Sequence, residues 1–117
     1  MTLNSRFAVV QAVLAAGAAE AVAKAMRCHL PTSPKVQAQG CGALGNMAGG
    51  DATEQRRVIE AGGAAAVVEA MRRWEEEGRV QQGGKAALAN MAFGQEELRE
   101  AVIAAGADPE WLGEDDE

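Results

Sequence analysis

The chain has 117 residues and a net charge of −6, and 48% of its residues are hydrophobic but only 3% are aromatic. Its length suits one domain, and because much of the hydrophobic fraction is alanine, packed helices are favoured over strands. The acidic balance argues against nucleic acid and anionic membrane surfaces as partners, since both bind clustered Lys and Arg. No apolar run reaches the ~18 residues of a membrane span.

The first predicted element is a short helix over residues 4–15. The apolar run 7–19 resembles a secretory signal, with a possible cleavage site at 16–18 (Ala-Gly-Ala). However, Gln11 interrupts the run, and the same turn recurs at 61–63 (Ala-Gly-Gly). We therefore predict the first helix of a repeat rather than a signal.

Seven further helices are predicted from the spacing of apolar residues and from capping signals. Ser33 is a suitable N-cap, and Pro34 is suited to the first helical position after it. Asp51 followed by Glu54 three residues later has the pattern of a capping box. The predicted ranges are 19–29, 34–48, 52–61, 64–76, 79–92, 95–105 and a short last helix from Asp108.

Much of the chain is an internal repeat with a spacing of 44 residues. The matches are Val36-Gln37 with Val80-Gln81, Gly40 with Gly84, 43–48 with 87–92, Val58-Ile59 with Val102-Ile103, and Ala61-Gly62 with Ala105-Gly106. A partial copy lies upstream at a spacing of 45. The extra residue falls in the loop 30–34, where insertions cost little. A helical period in this range indicates a solenoid of stacked units. Gly40 and Gly84 lie inside a long helix, which predicts a close approach of that helix to its neighbours.

Each unit reads as a short helix, an Ala-Gly turn, a medium helix, a loop and a long helix, and in this order the chain resembles the armadillo repeat family. The family's Ala-Leu-x-Asn-Leu-Ala signature is present at 43–48 and 87–92, with Met for the second Leu. The family's proline survives only as Pro109. The Ala-Gly turn is present at 16–18, 61–63 and 105–107. The resemblance implies an all-α fold, a right-handed superhelical armadillo-like solenoid of stacked three-helix repeats.

The resemblance covers nearly the whole chain and implies a single domain. That domain spans residues 1–112, and an acidic tail follows at 113–117. The repeats are expected at 4–49 and 50–93, with a partial third at 94–112.

In armadillo proteins the long helices line a concave groove, so the resemblance implies a non-catalytic protein-interaction module that binds an extended peptide there. Asn46 and Asn90 occupy the same groove position in successive repeats. An amide both donates and accepts, so a row of Asn residues would hold a peptide backbone. Alternatively, each Asn only ties its long helix to the neighbouring repeat, and the two roles are compatible. The predicted groove residues are Lys35, Gln39 and Asn46, with Arg79, Gln82 and Asn90.

The charge of the ligand is a separate question. Members of the importin alpha group carry a Trp four residues before the Asn, where it holds Lys and Arg stems. Here those positions are Gly42 and Ala86, so binding of basic import signals is not expected. Lys35 and Arg79 would suit an acidic segment, unless they are ordinary solvated side chains.

Neither catalysis nor a metal or cofactor is expected. His29 follows Cys28, but adjacent helical residues point about 100° apart, which is poor for a nucleophile and its base. Together with Cys41 they would still lack a fourth zinc ligand. His29 also matches Trp74, which indicates packing at a helix end. With only two cysteines, the chain is expected to be reduced and intracellular, either cytoplasmic or nuclear.

The ends of the stack give the main alternative to peptide binding. Interior repeats bury both flanks, so uncapped ends would expose apolar surface and favour a homo-oligomer, as in a structural or self-assembling fragment. Otherwise, Trp111 folds back as a cap. A piece of a longer array and an engineered repeat protein are both compatible with the sequence. The residues expected at the ends are Phe7, Val10, Val102, Trp111 and Leu112.

Overall fold

The computed structural model describes residues 16–113, together with Val9 and Ala12. Every regular element in that part of the chain is helical, which confirms the all-α prediction. The elements are α1 (Ala18–Cys28), α2 (Pro34–Met47), α3 (Ala52–Glu60), α4 (Gly63–Arg73), α5 (Gly78–Ala92), α6 (Glu96–Ala104) and a 3-10 helix (Pro109–Leu112). The helix predicted over 4–15 lies outside the described residues except at Val9 and Ala12.

Two of the predicted capping signals act at the starts of α2 and α3. Ser33 Oγ accepts a hydrogen bond from the N–H of Val36 at 3.1 Å, and Pro34 opens the first turn of α2. Asp51 Oδ1 accepts from the N–H of Glu54 at 3.1 Å. The capping box is only half formed, because the buried carboxylate of Glu54 has no hydrogen-bond partner among the described residues.

The three Ala-Gly turns share one backbone conformation. Gly17, Gly62 and Gly106 have φ angles of 88°, 95° and 115°. In this left-handed region a glycine has no steric penalty, whereas a side chain does. Gly17 and Gly62 directly precede α1 and α4, so the turn sets the entry into each medium helix.

Helix α4 ends at Arg73, and the predicted end at residue 76 is therefore wrong. The reason is a pair of hydrogen bonds from a side chain of α5. Gln81 Nε2 donates to the backbone carbonyls of Met71 at 2.9 Å and Trp74 at 3.0 Å. These carbonyls are satisfied without a further helical turn.

Helices of the same kind contact one another across the repeat. The medium helices α1 and α4, the long helices α2 and α5, and the short helices α3 and α6 form three such pairs. Each medium helix also packs on the long helix that follows it. The largest buried hydrophobic side chains are Met26, Leu44, Met71, Leu88, Met91, Leu98, Val58, Val67, Val80 and Val102.

The repeated glycines of the long helices make room for methionines of the medium helices. A Cβ at Gly40 would lie 2.5 Å from both Cγ and Sδ of Met26. A Cβ at Gly84 would overlap the same two atoms of Met71. Both methionines are buried. The predicted close approach of the long helix is confirmed, and the neighbour that approaches is the medium helix.

Replacing Gly40 with Ala is expected to destabilise the fold. Overpacking against Met26 costs about 1–3 kcal/mol, which outweighs the gain in helix propensity of up to ~1 kcal/mol. The matched control is Gly42→Ala in the same helix, since nothing lies within 4 Å of a Cβ there. Urea unfolding should show a loss for Gly40→Ala and a gain for Gly42→Ala. Equal stability of the two variants would contradict the steric role of Gly40.

Candidate functional site

The two long helices lie close together because small residues line their contact. A Cβ at Gly45 would lie 3.2 Å from Cα of Ala87, and one at Gly83 would lie 3.5 Å from Cβ of Cys41. Gly45, Ala87 and Cys41 are buried in this contact. Because little side-chain volume separates the backbones, α2 and α5 present their remaining surfaces side by side.

The residues predicted to line a groove are exposed on these two helices, and so are the small residues between them. Gly42 and Ala86 are exposed, and a Cβ at Gly42 would have no neighbour within 4 Å. The surface between the polar side chains is therefore exposed and free of large side chains. The exposed polar residues are Lys35, Gln39 and Asn46 on α2, with Arg79, Gln82 and Asn90 on α5.

Asn46 and Asn90 are equivalent in sequence but differ in their contacts. Asn90 Nδ2 donates to the backbone carbonyl of Gly45 at 3.0 Å, which ties α5 to α2. Asn90 therefore has the tying role, while its Oδ1 still has acceptor capacity. The equivalent bond from Asn46 would need a long helix on the other side of α2, and the described residues contain none.

The charges on the long helices are of one sign. Lys35, Arg79 and Lys85 are exposed, and neither α2 nor α5 contains an acidic residue. The net charge of the whole chain is −6, so the acidic residues lie on other elements. The nearest acidic run in sequence, 75–77, directly precedes α5. The long helices thus form a locally positive surface on an acidic protein.

Two glutamines hold the ends of the medium helices, and sequence reasoning did not assign them this role. Gln37 Nε2 donates to the carbonyl of Met26 at 2.9 Å, and Gln81 Nε2 donates to that of Met71 at 2.9 Å. The signal was present, because Gln37 recurs as Gln81 in the repeat. A polar residue that recurs among core positions suggests a buried hydrogen bond.

A third glutamine caps the end of α5. Gln55 Nε2 donates to the carbonyls of Asn90 at 2.7 Å and Phe93 at 2.9 Å. These carbonyls lie at the C-terminal end of the helix, where the backbone acceptors have no intrahelical donor. Gln55 lies on α3, so the short helix positions the end of the long helix in the same repeat.

The cysteines and the histidine lie apart from the exposed face of the long helices. Cys41 is buried, and this burial raises its pKa to about 12, so the thiol stays protonated at neutral pH. Cys28 is exposed and unpaired. His29 and Trp74 occupy matching C-cap positions, and Trp74 Nε1 donates to the carbonyl of Leu30 at 2.7 Å. No group of three or more His, Cys, Asp or Glu in the described part of the chain is arranged to hold a metal ion.

The residues expected at the ends of the stack differ in whether the structure describes them and in how exposed they are. Phe7 and Val10 lie outside the described residues. Val102 is 0% exposed and belongs to the hydrophobic core. The fold therefore leaves no part of the Val102 side chain accessible, and self-association through this end stays a prediction.

Trp111 folds back onto the core, which is one of the two alternatives that the sequence left open for this end of the stack. Trp111 and Leu112 are half-buried and pack against core residues. The guanidinium carbon of Arg72 lies 5.1 Å from the centre of the Trp111 ring, and Arg72 also donates to the carbonyl of Gly106 at 2.7 Å. Phe93, by contrast, is 78% exposed at the end of α5.

Glu54 is a buried acidic residue whose carboxylate lacks a hydrogen-bond partner among the described residues. Its residue is 2% exposed, and neither carboxylate oxygen has a partner among the described residues. Desolvation, and secondarily the charge of Asp51, raise its pKa above the ordinary value of 4.5. The equivalent residue in the next repeat is Leu98, which is fully buried.

The class that the described structure defines is an all-α protein whose equivalent helices contact each other across an internal sequence repeat. No family model matches the sequence, and no curated protein and no solved structure matches it either. Within residues 16–113, no helix is long and apolar enough to cross a membrane.

Glu54→Leu is expected to stabilise the protein at neutral pH. A buried polar group without a partner costs about 1–3 kcal/mol, and Leu98 shows that the position accepts leucine. Because the pKa of folded Glu54 is raised, its contribution to stability is best below 4.5 and falls as the pH rises through the raised pKa. The advantage of Glu54→Leu should therefore shrink in acid.

Thermal unfolding of wild type and Glu54→Leu from about pH 3.5 to about pH 7.5 measures this difference, because that range brackets the titration of a carboxyl group. Leu98→Glu is the reciprocal control and should destabilise the protein most at neutral pH. A constant difference between wild type and Glu54→Leu across the range would contradict the unpaired, buried state of the carboxylate.

Asn90→Ala is expected to lower the free energy of unfolding by about 0.5–1.5 kcal/mol, because it removes the bond to the carbonyl of Gly45. Asn46→Ala is the matched control and should change stability by less than ~0.5 kcal/mol, as an ordinary surface substitution does. Urea unfolding separates the two. Equal losses would mean that Asn46 also has a structural partner.

Proposed function

We propose that the chain forms a right-handed armadillo-like solenoid of stacked three-helix repeats and acts as a non-catalytic module that binds an extended peptide along the exposed face of α2 and α5. Three features support the solenoid: the left-handed glycine in each Ala-Gly turn, the contacts between equivalent helices, and the repeated Gly–Met packing. None of these features depends on the ligand. The module would act inside the cell, in the cytoplasm or nucleus.

The observation that carries the binding proposal is the exposed amide of Asn46 beside that of Asn90. An extended peptide presents an N–H and a carbonyl at each residue, and an Asn amide pairs with either. Asn46 would use both its donors and its acceptor, whereas Asn90 has one N–H already bonded to Gly45 and would offer its Oδ1 and its second N–H. Gly42 and Ala86 are small and exposed, so no large side chain would block a peptide backbone that lies across the outer surface of the two helices.

The charge of the two long helices supports an acidic peptide. Lys35 and Arg79 lie at equivalent positions one repeat apart, and Lys85 adds a third positive charge to helices that contain no acidic residue. Charged groups at the rim of an interface steer association and select the sign of the partner more than they add affinity. We therefore expect charge selectivity with modest salt-sensitive affinity.

The test is a selection of random twelve-residue peptides (a length of roughly 40 Å when extended) on the wild-type protein, followed by fluorescence anisotropy of the best binders. Selected peptides should be enriched in Asp and Glu, and binding should weaken as salt shortens the ~10 Å screening length of 0.1 M solution. Lys35→Glu combined with Arg79→Glu should weaken binding about tenfold.

Two further variants complete the test. Asn46→Ala should weaken acidic and neutral peptides alike by about tenfold, because it removes backbone contacts rather than charge. Lys24→Glu, an exposed residue of α1, is the control for net charge and should leave binding unchanged. Selection of neutral peptides, or unchanged binding after reversal of Lys35 and Arg79, would refute the acidic preference. Unchanged binding in Asn46→Ala would refute the groove.

A further inference from the structure

One face of α5 is open although its counterpart on α2 is buried. The open face comprises Lys85 and Ala89, which are exposed, and Ala92, which is half-buried. The positions 44 residues earlier are Cys41, Gly45 and Ala48, and all three are buried. The same helix face is therefore covered in one repeat and accessible at Lys85 and Ala89 in the next.

The helix that covers the α2 face shows which residues a helix would need in order to cover the α5 face. On α2 the cover is α5 itself, which places Gly83 against Cys41 and Ala87 against Gly45. Asn90 of the covering helix then donates to the carbonyl of Gly45. A suitable cover is thus an α-helix with two small residues four apart and an Asn three residues further on.

Arg99 is a second feature that favours a helix at this place. In the described repeat pair, Gln55 caps the C-terminal carbonyls of the covering helix. Arg99 is the residue 44 positions after Gln55, and it is half-buried on α6. A guanidinium has five donors and a positive charge, and both favour the C-terminal end of a helix.

Arg99 also borders an open cleft of about 440 Å³, together with Ala89, Phe93 and Leu112. Ala89 belongs to the open face, and the exposed Phe93 follows directly after α5. The cleft therefore joins the open face to the donor group that would receive the helix end.

We propose that the open face of α5 is a docking site for an α-helix of a partner chain. The partner helix presents small residues and an Asn in the register of Gly83, Ala87 and Asn90, and its last carbonyls accept hydrogen bonds from Arg99. The proposal rests on the internal repeat and does not depend on peptide binding at Asn46.

A second copy of this chain fits the site less well than such a helix. The long helix that it would offer is α2, where Gln39 stands at the position of Gly83. Gln39 would meet Lys85, which stands at the position of Cys41, so two long side chains would replace a glycine and a cysteine. They would hold the helices apart, and the partner helix therefore needs a small residue opposite Lys85.

The test uses a synthetic peptide that copies residues 77–94, acetylated and amidated at its ends, titrated into the ¹⁵N-labelled full chain. Because the free peptide must first fold into a helix, we expect a dissociation constant on the order of 1 mM or below. Amide shifts should change at Ala89, Phe93, Arg99 and Leu112. A control peptide with Ala87→Arg should bind at least about tenfold more weakly, because its close contact is blocked.

Two substitutions in the protein separate helix docking from general stickiness. Ala89→Arg should weaken the wild-type peptide at least about tenfold by preventing close approach. Arg99→Ala should weaken it about three- to tenfold, and Arg99→Gln, which restores the type of donor used by Gln55, should recover most of the loss. Circular dichroism of each variant checks that the helices are retained.

Several outcomes would overturn the proposal. The first is the absence of amide shift changes at several millimolar peptide, which is roughly the weakest binding that such a titration detects. The second is a set of shift changes centred on Lys35 and Asn46 instead of Arg99. The third is equal affinity of the peptide for Ala89→Arg and for the wild-type protein. Concentration-dependent shifts at Ala89 and Arg99 in the protein alone would assign the face to a second copy rather than to a partner helix. If the protein binds the 77–94 peptide but no acidic peptide, only the proposed peptide binding at Asn46 is refuted, and helix docking on α5 stands.

Discussion

The contact between the two long helices depends on the absence of side-chain volume. Gly45 meets Ala87 and Gly83 meets Cys41 so closely that the backbones nearly touch. This separation brings the amide of Asn90 within 3.0 Å of the Gly45 carbonyl. The exposed polar residues of both helices lie on the remaining surfaces of this contact. A wider spacing would break that hydrogen bond and move the two rows of side chains apart.

Around this contact, buried hydrogen bonds fix where each helix ends. Apolar packing tolerates small shifts, whereas a buried amide without a partner is costly, so each glutamine selects one register. Gln37 and Gln81 hold the ends of the medium helices, and Gln55 holds the end of α5. Together with the Gly–Met contacts, they connect the medium and long helices in both units and the short and long helices in the second.

The positions with functional promise are those where sequence equivalence and structural environment diverge. Asn90 is bonded to α2, while Asn46 faces no long helix among the described residues. Cys41 is covered, while its counterpart Lys85 is exposed. Glu54 is buried without a partner where the next repeat has Leu98. A repeated fold thus contains non-repeated sites, because each unit has different neighbours on its two sides.

Local patterns in the sequence were sufficient for the helices, the glycine turns and the small residues of the long helices, because these depend on spacing and on backbone preferences within a few residues. The exposure of Lys35, Asn46 and Arg79 also followed from helix periodicity. The early end of α4, the burial of Val102, the capping of α5 by Gln55 and the bond from Asn90 to Gly45 were decided by tertiary structure. Each depends on a partner that is distant along the chain or on another helix, and local spacing carries no information about which distant group arrives there.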